Sequence, residues 1–312
     1  MIWVTGADGQ LGHELFHELY EKSGALFTTI NECDITNEEA VKALVVNNGV
    51  EIIINCAAYT FVDKAESDSR AAFNVNINGP LILAKIARAF DITIIHLSTD
   101  YIFAGDKPTP YTEEDTPKPV SIYGLSKLNG ELAIQKYAHK SIIFRTSWLY
   151  SKYGTNFVKT IVTKSRAHME SPNNPSKGPL ELGIVYDQIG NPTSATDLVQ
   201  VILKTIELIR TRNKDLNNNE QNFSNLFNLE SYKLVYNFSN EGIASWYDFA
   251  KAVIDILNLK VNVRPILTKD YSAPAKRPYY SVLDKSKIKK ELKIEIPYWR
   301  ESLEKCLKEN QF

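Results

Sequence analysis

The chain opens on MIWVTGADGQLG, an apolar run that meets three glycines, Gly6, Gly9 and Gly12, within twelve residues. Few features restrict a fold so strongly. Glycines here permit a tight turn, let backbone approach a diphosphate, and let the N-terminus of the helix that follows, about Gln10 to Lys22, face its charge. The spacing is G-x-x-G-x-x-G rather than G-x-G-x-x-G. By itself such a triplet specifies only a turn. Between an apolar strand and a helix it points to dinucleotide binding, with Gly6, Gly9, Gln10, Leu11 and Gly12 against the cofactor.

Further along, apolar runs alternate with amphipathic helical patterns. EIIINCAA follows a helix beginning near Asn37, ITIIHLSTD follows one near Gly79 to Phe90, and SIIFRTSW follows a helix that carries Tyr123. EIIIN and ITIIHLS are apolar at consecutive rather than alternate positions, as expected of strands covered on both faces. This predicts an α/β fold, a doubly wound parallel sheet of Rossmann type with a smaller C-terminal substrate-binding lobe. Ligands then bind outside the carboxyl ends of the strands. Beyond Tyr150 the rhythm loosens. The stretches 166–183, rich in Pro, Gly, Ser and Asn, and 211–229, rich in Asn, read as a long loop and a surface insertion. Around them come a helix near Ala195 to Arg210, a strand KLVYNFSN, a helix SWYDFAKAVIDILNL and a last helix near Tyr298 to Lys308. The expected division is a dinucleotide-binding domain over 1–150, with a return segment at about 192–240, and a substrate-binding lobe over 151–191 and 241–312.

Composition narrows the function classes. A formal net charge of -1 with interspersed signs offers no field for nucleic acid or an anionic membrane. Three cysteines, Cys33, Cys56 and Cys306, form no paired spacing, which argues against a disulfide framework and a zinc site. No apolar run approaches the about 20 residues of a membrane span, and the start enters a strand rather than a signal peptide. A reducing cytoplasm is the expected home.

The chemistry concentrates in two stretches. HLSTDYIF ends a strand with Ser98, Thr99 and Asp100, and SIYGLSKLNGE starts a helix with Tyr123 and Lys127 four residues apart, on one face. Reducing a ketone by hydride transfer needs a proton donor at the carbonyl oxygen, and a phenol of pKa about 10 serves better when a cation lowers that value. Lys127 is the expected cation, with a second role at the nicotinamide ribose, and Thr99 is the expected donor to the substrate oxygen or to Tyr123. For the coenzyme, LFTTINECDIT leaves the choice between NADPH and NADH open. Glu32 is a candidate for ribose hydroxyls, and Asp34 and Ile35 are expected to border the adenine. Ala57 and Ala58 in NCAAYT let the backbone lie against the cofactor or serve close helix packing.

The glycine loop, the strand-end threonine and Y-x-x-x-K together resemble the extended short-chain dehydrogenase/reductase group. NCAAYTFVDKAESD, LSTDYIFAGDKPTPYTEEDTPKPVSIYGLSKLNGE, FRTSWLYSKYGTNFVKT, DQIGNPTSATDL, SWYDFA and AKRPYYSVLD are similar, in order, to the dTDP-4-dehydrorhamnose reductase family. The resemblance covers nearly the whole chain. It implies reduction by NADPH or NADH at C4 of dTDP-4-dehydro-L-rhamnose, the last step toward dTDP-L-rhamnose for surface polysaccharide. It also implies Thr99, Tyr123 and Lys127 as the catalytic triad, and Asp100, Trp148, Asn156 and Arg277 as substrate-binding residues, with Trp148 at the sugar and the last two at the nucleotide diphosphate. Asp187 and Gln188 shape the cleft or a loop. Some members dimerise through magnesium held by glutamates; Glu14 matches one such position, but Thr196 stands where a later carboxylate is expected, so no metal is predicted. The partner expected is a small nucleotide sugar, and the chain is a monomer or homodimer. Two other readings stay open, a reductase or epimerase of another nucleotide-linked 4-ketohexose, and a non-catalytic cofactor-binding subunit similar to the β subunit of methionine adenosyltransferase.

Overall fold

The structure, a computed structural model, describes residues 1–169, 180–215 and 231–309. Five strands come from the first half: β1 (Ile2–Thr5), β2 (Leu26–Thr28), β3 (Ile52–Asn55), β4 (Thr93–Thr99) and β5 (Lys140–Thr146). Helices α1 (Gln10–Ser23) and α2 (Glu38–Asn48) join the first three. Between β3 and β4 run α3 (Val62–Ala65), α4 (Ser69–Phe73), a π-helix (Asn74–Asn78) and α5 (Gly79–Ala89), and α6 (Ile122–Tyr137) leads into β5.

After β5 come β6 (Leu149–Tyr150), α7 (Phe157–Met169), β7 (Leu180–Val185), β8 (Ile189–Gly190), β9 (Thr193–Ser194), α8 (Ala195–Asp215) and β10 (Tyr232–Asn237). The chain ends with β11 (Ala244–Ser245), α9 (Trp246–Leu257), β12 (Val261–Ile266), α10 (Ser286–Leu292) and α11 (Trp299–Glu309). The main sheet has six strands in the order β10-β5-β4-β3-β1-β2, all parallel.

The unbroken apolar runs are explained by the two faces of this sheet. Ile52, Ile54, Ile95 and Phe144 enter one buried cluster with α1 and α8, whereas Ile53, Ile94 and Ile143, one residue out of phase, enter a second with α2, α5 and α6. KLVYNFSN does return to the sheet: β10 pairs with β5 over Tyr232 to Asn237. A third cluster gathers Tyr150, Val158, Phe249, Val253, Trp299 and Leu303 from β6, α7, α9 and α11.

Two expectations are corrected. The loop expected at 166–183 is helical through Met169 and a strand from Leu180, and its middle lies outside the described residues. Leu182 and Ile184 of β7 rest on the third cluster and pair in parallel with β12, 81 residues later in the register Leu182↔Val263, so a distant partner supplies the order that local composition lacks. Helix α8 likewise runs past Arg210 to Asp215; the rest of the expected insertion, from 216, lies outside the described residues. Among the described residues, no helix is long and apolar enough to cross a membrane.

Candidate active site

The glycine loop leaves β1 and turns beneath the end of β3. Gly6 has φ +64°, and a Cβ there would lie 2.7 Å from the Ala57 nitrogen. A Cβ on Gly12 would lie 2.3 Å from the Gly6 carbonyl oxygen. Gly9 precedes α1, whose first turn has neither a side-chain cap nor an acidic residue. Backbone donors at a helix end left without an internal acceptor, beside a loop where side chains do not fit, suit a dinucleotide's pyrophosphate. Ala57 donates to the Thr5 hydroxyl at 3.2 Å, and that hydroxyl donates to Asn55 Oδ1 at 2.7 Å. These bonds fix Ala57, with Ala58 next in the chain, against the end of β1. Leu11 is buried in the first core, and Gln10 accepts from Asn156 Nδ2 at 2.9 Å.

At the adenine end, Asp34 Oδ1 accepts from the Thr36 nitrogen and hydroxyl, both at 2.8 Å, forming a local turn. The Ile35 side chain is 4% exposed and sits in the second core over Gly79, where a Cβ would be 2.5 Å from Ile35 Cδ1, so an approach to the adenine would be by its backbone. Burial of its apolar side chain sets that direction. Glu32 folds back onto Thr29, accepting from its nitrogen at 2.7 Å and its hydroxyl at 2.9 Å, and these bonds lower its pKa.

Tyr123 and Lys127 stand on the first turns of α6, which is N-capped by Ser121. Two glycines missed in the sequence let this helix approach so closely. A Cβ at Gly124 would be 2.2 Å from the Tyr101 carbonyl oxygen, and one at Gly130 would be 2.3 Å from that of Asn76. Glycine inside a helix is unfavourable unless such an approach needs it, which is the signal that was available. Lys127 is 4% exposed and donates to the Leu97 carbonyl at 2.6 Å. Burial lowers its pKa to about 8, against the opposing influence of Glu131 and Cys56.

Burial also pushes the Tyr123 phenol up to about 12, with Thr99 acting to lower it and the Asp100 charge to raise it. The expected depression by Lys127 is therefore corrected. Desolvation outweighs the charges around the phenol, and the ammonium is directed to β4. Thr99 donates to Asp100 Oδ1 at 3.1 Å, and burial pushes the Asp100 carboxyl up to about 7. Asn76, also missed, lies in the π-helix, an irregularity frequent at functional sites. Its amide donates to Ser126 Oγ at 2.9 Å and to the Tyr59 carbonyl at 3.0 Å, and its oxygen accepts from the Tyr59 nitrogen at 2.8 Å. It thereby joins the loop after β3 to α6.

Arg277 stands at a cavity of about 430 Å³ lined in part by Gln188, Thr268, Tyr271, Ala275 and Tyr279. Its Nη2 donates to Asp63 Oδ2 at 2.7 Å, a partner 214 residues away, and Asp63 Oδ1 accepts from the Ala275 nitrogen at 3.2 Å. Arg277 also neighbours Tyr101, whose ring lies edge-on to Tyr123 at 5.8 Å. Gln188 donates to the Thr268 hydroxyl at 3.1 Å, and Asp187 accepts from the Thr268 nitrogen at 2.8 Å, so both brace this wall of the cavity.

Trp148 has φ +47°, a region unusual for a bulky residue. Its indole stacks on Trp246 with centroids 3.6 Å apart and lies 2.8 Å from where a Gly190 Cβ would be. Asn156 is directed elsewhere than expected: its amide donates to Gln10 and to the Ser151 carbonyl, and its oxygen accepts from the Lys159 nitrogen at 2.9 Å. These bonds cap α7 and tie it to α1. Glu14 is accompanied by Ser151, Lys152 and Thr196 rather than by a second carboxylate, and among the described residues no group of three or more His, Cys, Asp or Glu could hold a metal.

Over its whole length, residues 1–312, the chain matches the family model described as the RmlD substrate binding domain. It is 36% identical over 311 residues to the dTDP-4-dehydrorhamnose reductase of Aggregatibacter actinomycetemcomitans, covering 97% of this chain and 96% of that one. The enzyme of the same name from Sinorhizobium fredii is 36% identical over 304 residues, covering 96% and 94%. Among solved structures, a Bacillus anthracis dTDP-4-dehydrorhamnose reductase in complex with NADP superposes with a TM-score of 0.85 at 35% identity, covering 99% of both chains. A match of this extent, together with a glycine loop, a threonine strand end and a Tyr–Lys helix folded onto one another, establishes that the chain belongs to the dTDP-4-dehydrorhamnose reductase family.

Proposed function

We propose that this chain reduces the C4 keto group of dTDP-4-dehydro-L-rhamnose with NADPH or NADH, giving dTDP-L-rhamnose in the cytoplasm for surface polysaccharide. The observation that carries the reading is the convergence of Thr99, Tyr123 and Lys127 at the carboxyl edge of the sheet, beside a glycine loop that accepts no side chain. When bound, the nicotinamide cofactor supplies the hydride.

The residues of the chain manage the oxygen and the proton. A phenol at about 12 keeps its proton at neutral pH, so Tyr123 is held ready as the acid for the C4 oxygen as that oxygen gains charge. Thr99 donates a hydrogen bond to the same oxygen. Lys127, protonated below about 8 and bonded to the Leu97 carbonyl, supplies positive charge at the end of β4. Arg277 exchanges Asp63 for the diphosphate, Trp148 borders the deoxysugar, and residues 151–191 and 241–312 form the lobe that carries them. A non-catalytic subunit would have no use for this acid, and the assembled triad favours the enzyme.

The test is a coupled assay in which dTDP-4-dehydro-L-rhamnose is generated in situ, reduced-cofactor absorbance is followed, and the product sugar is identified by NMR. Consumption with dTDP-L-rhamnose formed is the expected result; a different sugar product would move the reading to another 4-ketohexose. Tyr123→Phe is expected to bind cofactor normally and to lose at least about 100-fold in kcat. Full turnover by that variant would sink the mechanism.

A further inference from the structure

One turn beyond Lys127 on α6, the Glu131 side chain is 1% exposed, and the Arg145 side chain of β5 that meets it is 5% exposed. Arg145 Nε donates to the two carboxylate oxygens at 3.1 and 3.2 Å, and Nη2 donates to Oε2 at 2.9 Å. Nη1 reaches the Glu113 carbonyl at 3.4 Å, and the guanidinium lies 5.5 Å from the centre of the Phe103 ring. Removing two full charges from water is expensive, and apolar residues of the same volume commonly serve stability as well or better. The pair therefore calls for an explanation other than packing.

Its surroundings provide one. The groups that face Lys127 are Cys56 from the loop after β3, His96 on β4, and Glu131 on its own helix. Burial pushes the Cys56 thiol up to about 12 and keeps His96 well below its ordinary value, so both are neutral near pH 7. Among these described groups Glu131 alone carries negative charge. The Glu131 carboxylate and the Leu97 carbonyl, which accepts from Lys127 Nζ at 2.6 Å, offset the burial of the ammonium, and Arg145 anchors that carboxylate to the sheet.

We propose that Glu131, clamped by Arg145, is a positioning residue for the reduction: its buried carboxylate, one helical turn from Lys127, balances the ammonium that the Leu97 carbonyl holds against β4, while Arg145 ties that charge to β5 and to the segment 103–120. That segment supplies Ala104 and Val120 to the cavity beside Arg277, so the same guanidinium braces the cationic pole and one wall of the cleft. The inference rests on the reading of Lys127 as part of the reaction centre.

The experiment measures kcat/KM against pH, with NADPH and dTDP-4-dehydro-L-rhamnose generated in situ, for the full chain and for Glu131→Gln, Glu131→Gln/Arg145→Gln and Lys127→Met, each with its Tm. Glu131→Gln is expected to move the alkaline limb of activity down by about one pH unit, because a nearby opposite charge has been removed and an unpaired guanidinium left behind. The double variant leaves no lone buried charge, so it folds even where the single one does not, and its limb is expected to move in the same direction by less. Wild-type limbs in the folded variants, with kcat falling only as Tm falls, would overturn the proposal and reduce the pair to a structural brace. Undiminished activity in Lys127→Met would instead overturn the reading beneath it.

Discussion

Gly6 offers a measurement of how much the cofactor loop depends on close backbone approach, because the same chain contains its control. Gly6 and Gly24 both have left-handed backbone, φ +64° and +59°, yet a Cβ on Gly24 meets nothing within 4 Å while one on Gly6 meets the Ala57 nitrogen at 2.7 Å, the Ala57 Cα at 2.8 Å and the Cys56 carbonyl carbon at 2.9 Å. Gly24→Ala thus isolates the conformational penalty of a side chain at positive φ, about 1 to 2 kcal/mol. Gly6→Ala adds an overlap with backbone, which cannot rotate away, and overpacking of this kind costs about 1 to 3 kcal/mol more. The expected total is about 2 to 5 kcal/mol, relieved only if the loop separates from the end of β3. If the loop holds the pyrophosphate as proposed, that separation weakens NADPH binding. Urea unfolding and NADPH titration by fluorescence should show Gly24→Ala mildly destabilised with wild-type binding, and Gly6→Ala both less stable and weaker for NADPH by at least about 10-fold, equivalent to 1.4 kcal/mol. Equal losses in the two variants, or wild-type NADPH affinity in Gly6→Ala, would refute the close-approach explanation.

Other perturbations give equally directed outcomes. Lys127, held at about 8 against 10.5, opposes folding at pH 7 by about 3 kcal/mol, and stability rises between those pH values because only the unfolded chain still binds the proton. Lys127→Met should therefore raise Tm at pH 7 while abolishing turnover, and should flatten stability between pH 8 and 10.5; an unchanged slope would count against the buried ammonium. Gly190→Ala drives a methyl into the Trp148 indole at 2.8 Å. It should raise KM for the nucleotide sugar more than it lowers kcat and alter the tryptophan fluorescence, and unaltered kinetics would remove Trp148 from the sugar site. Asn76→Ala leaves the Tyr59 nitrogen and carbonyl without their partner and removes one of the two bonds at Ser126 Oγ, with an expected loss of about 2 to 3 kcal/mol in chemical denaturation. A loss below about 0.5 kcal/mol would mean that the loop after β3 is held by other contacts.

Much of the molecule was legible because its signals are local. Consecutive apolar residues in IIIN and TIIHLST announce strands covered on both faces, and the phase of each run assigns Ile53 to one core and Ile54 to the other. Gly6, Gly9 and Gly12 announce a turn that backbone must cross, and Tyr123 and Lys127, one turn apart, announce a shared face. Elsewhere a long-range contact decided. Ile35 turns into the core because Gly79 leaves room for it, and Asn156 serves α7 and Gln10 because the loop at 151–156 folds onto α1. Leu180–Val185 becomes a strand because Val261–Ile266 pairs with it.

The amino-acid sequence alone thus determined the fold class, the glycine turn after β1 and the shared helical face of Tyr123 and Lys127, since periodicity, glycine geometry and helical spacing act over a few residues and need no partner. Tertiary structure alone decided the electrostatics. It is burial that sets Tyr123 at about 12 and Lys127 at about 8, and it is packing that gives Arg277 to Asp63 and Arg145 to Glu131. Desolvation depends on every atom that excludes water from a group, and those atoms come from strands and helices far apart in the chain.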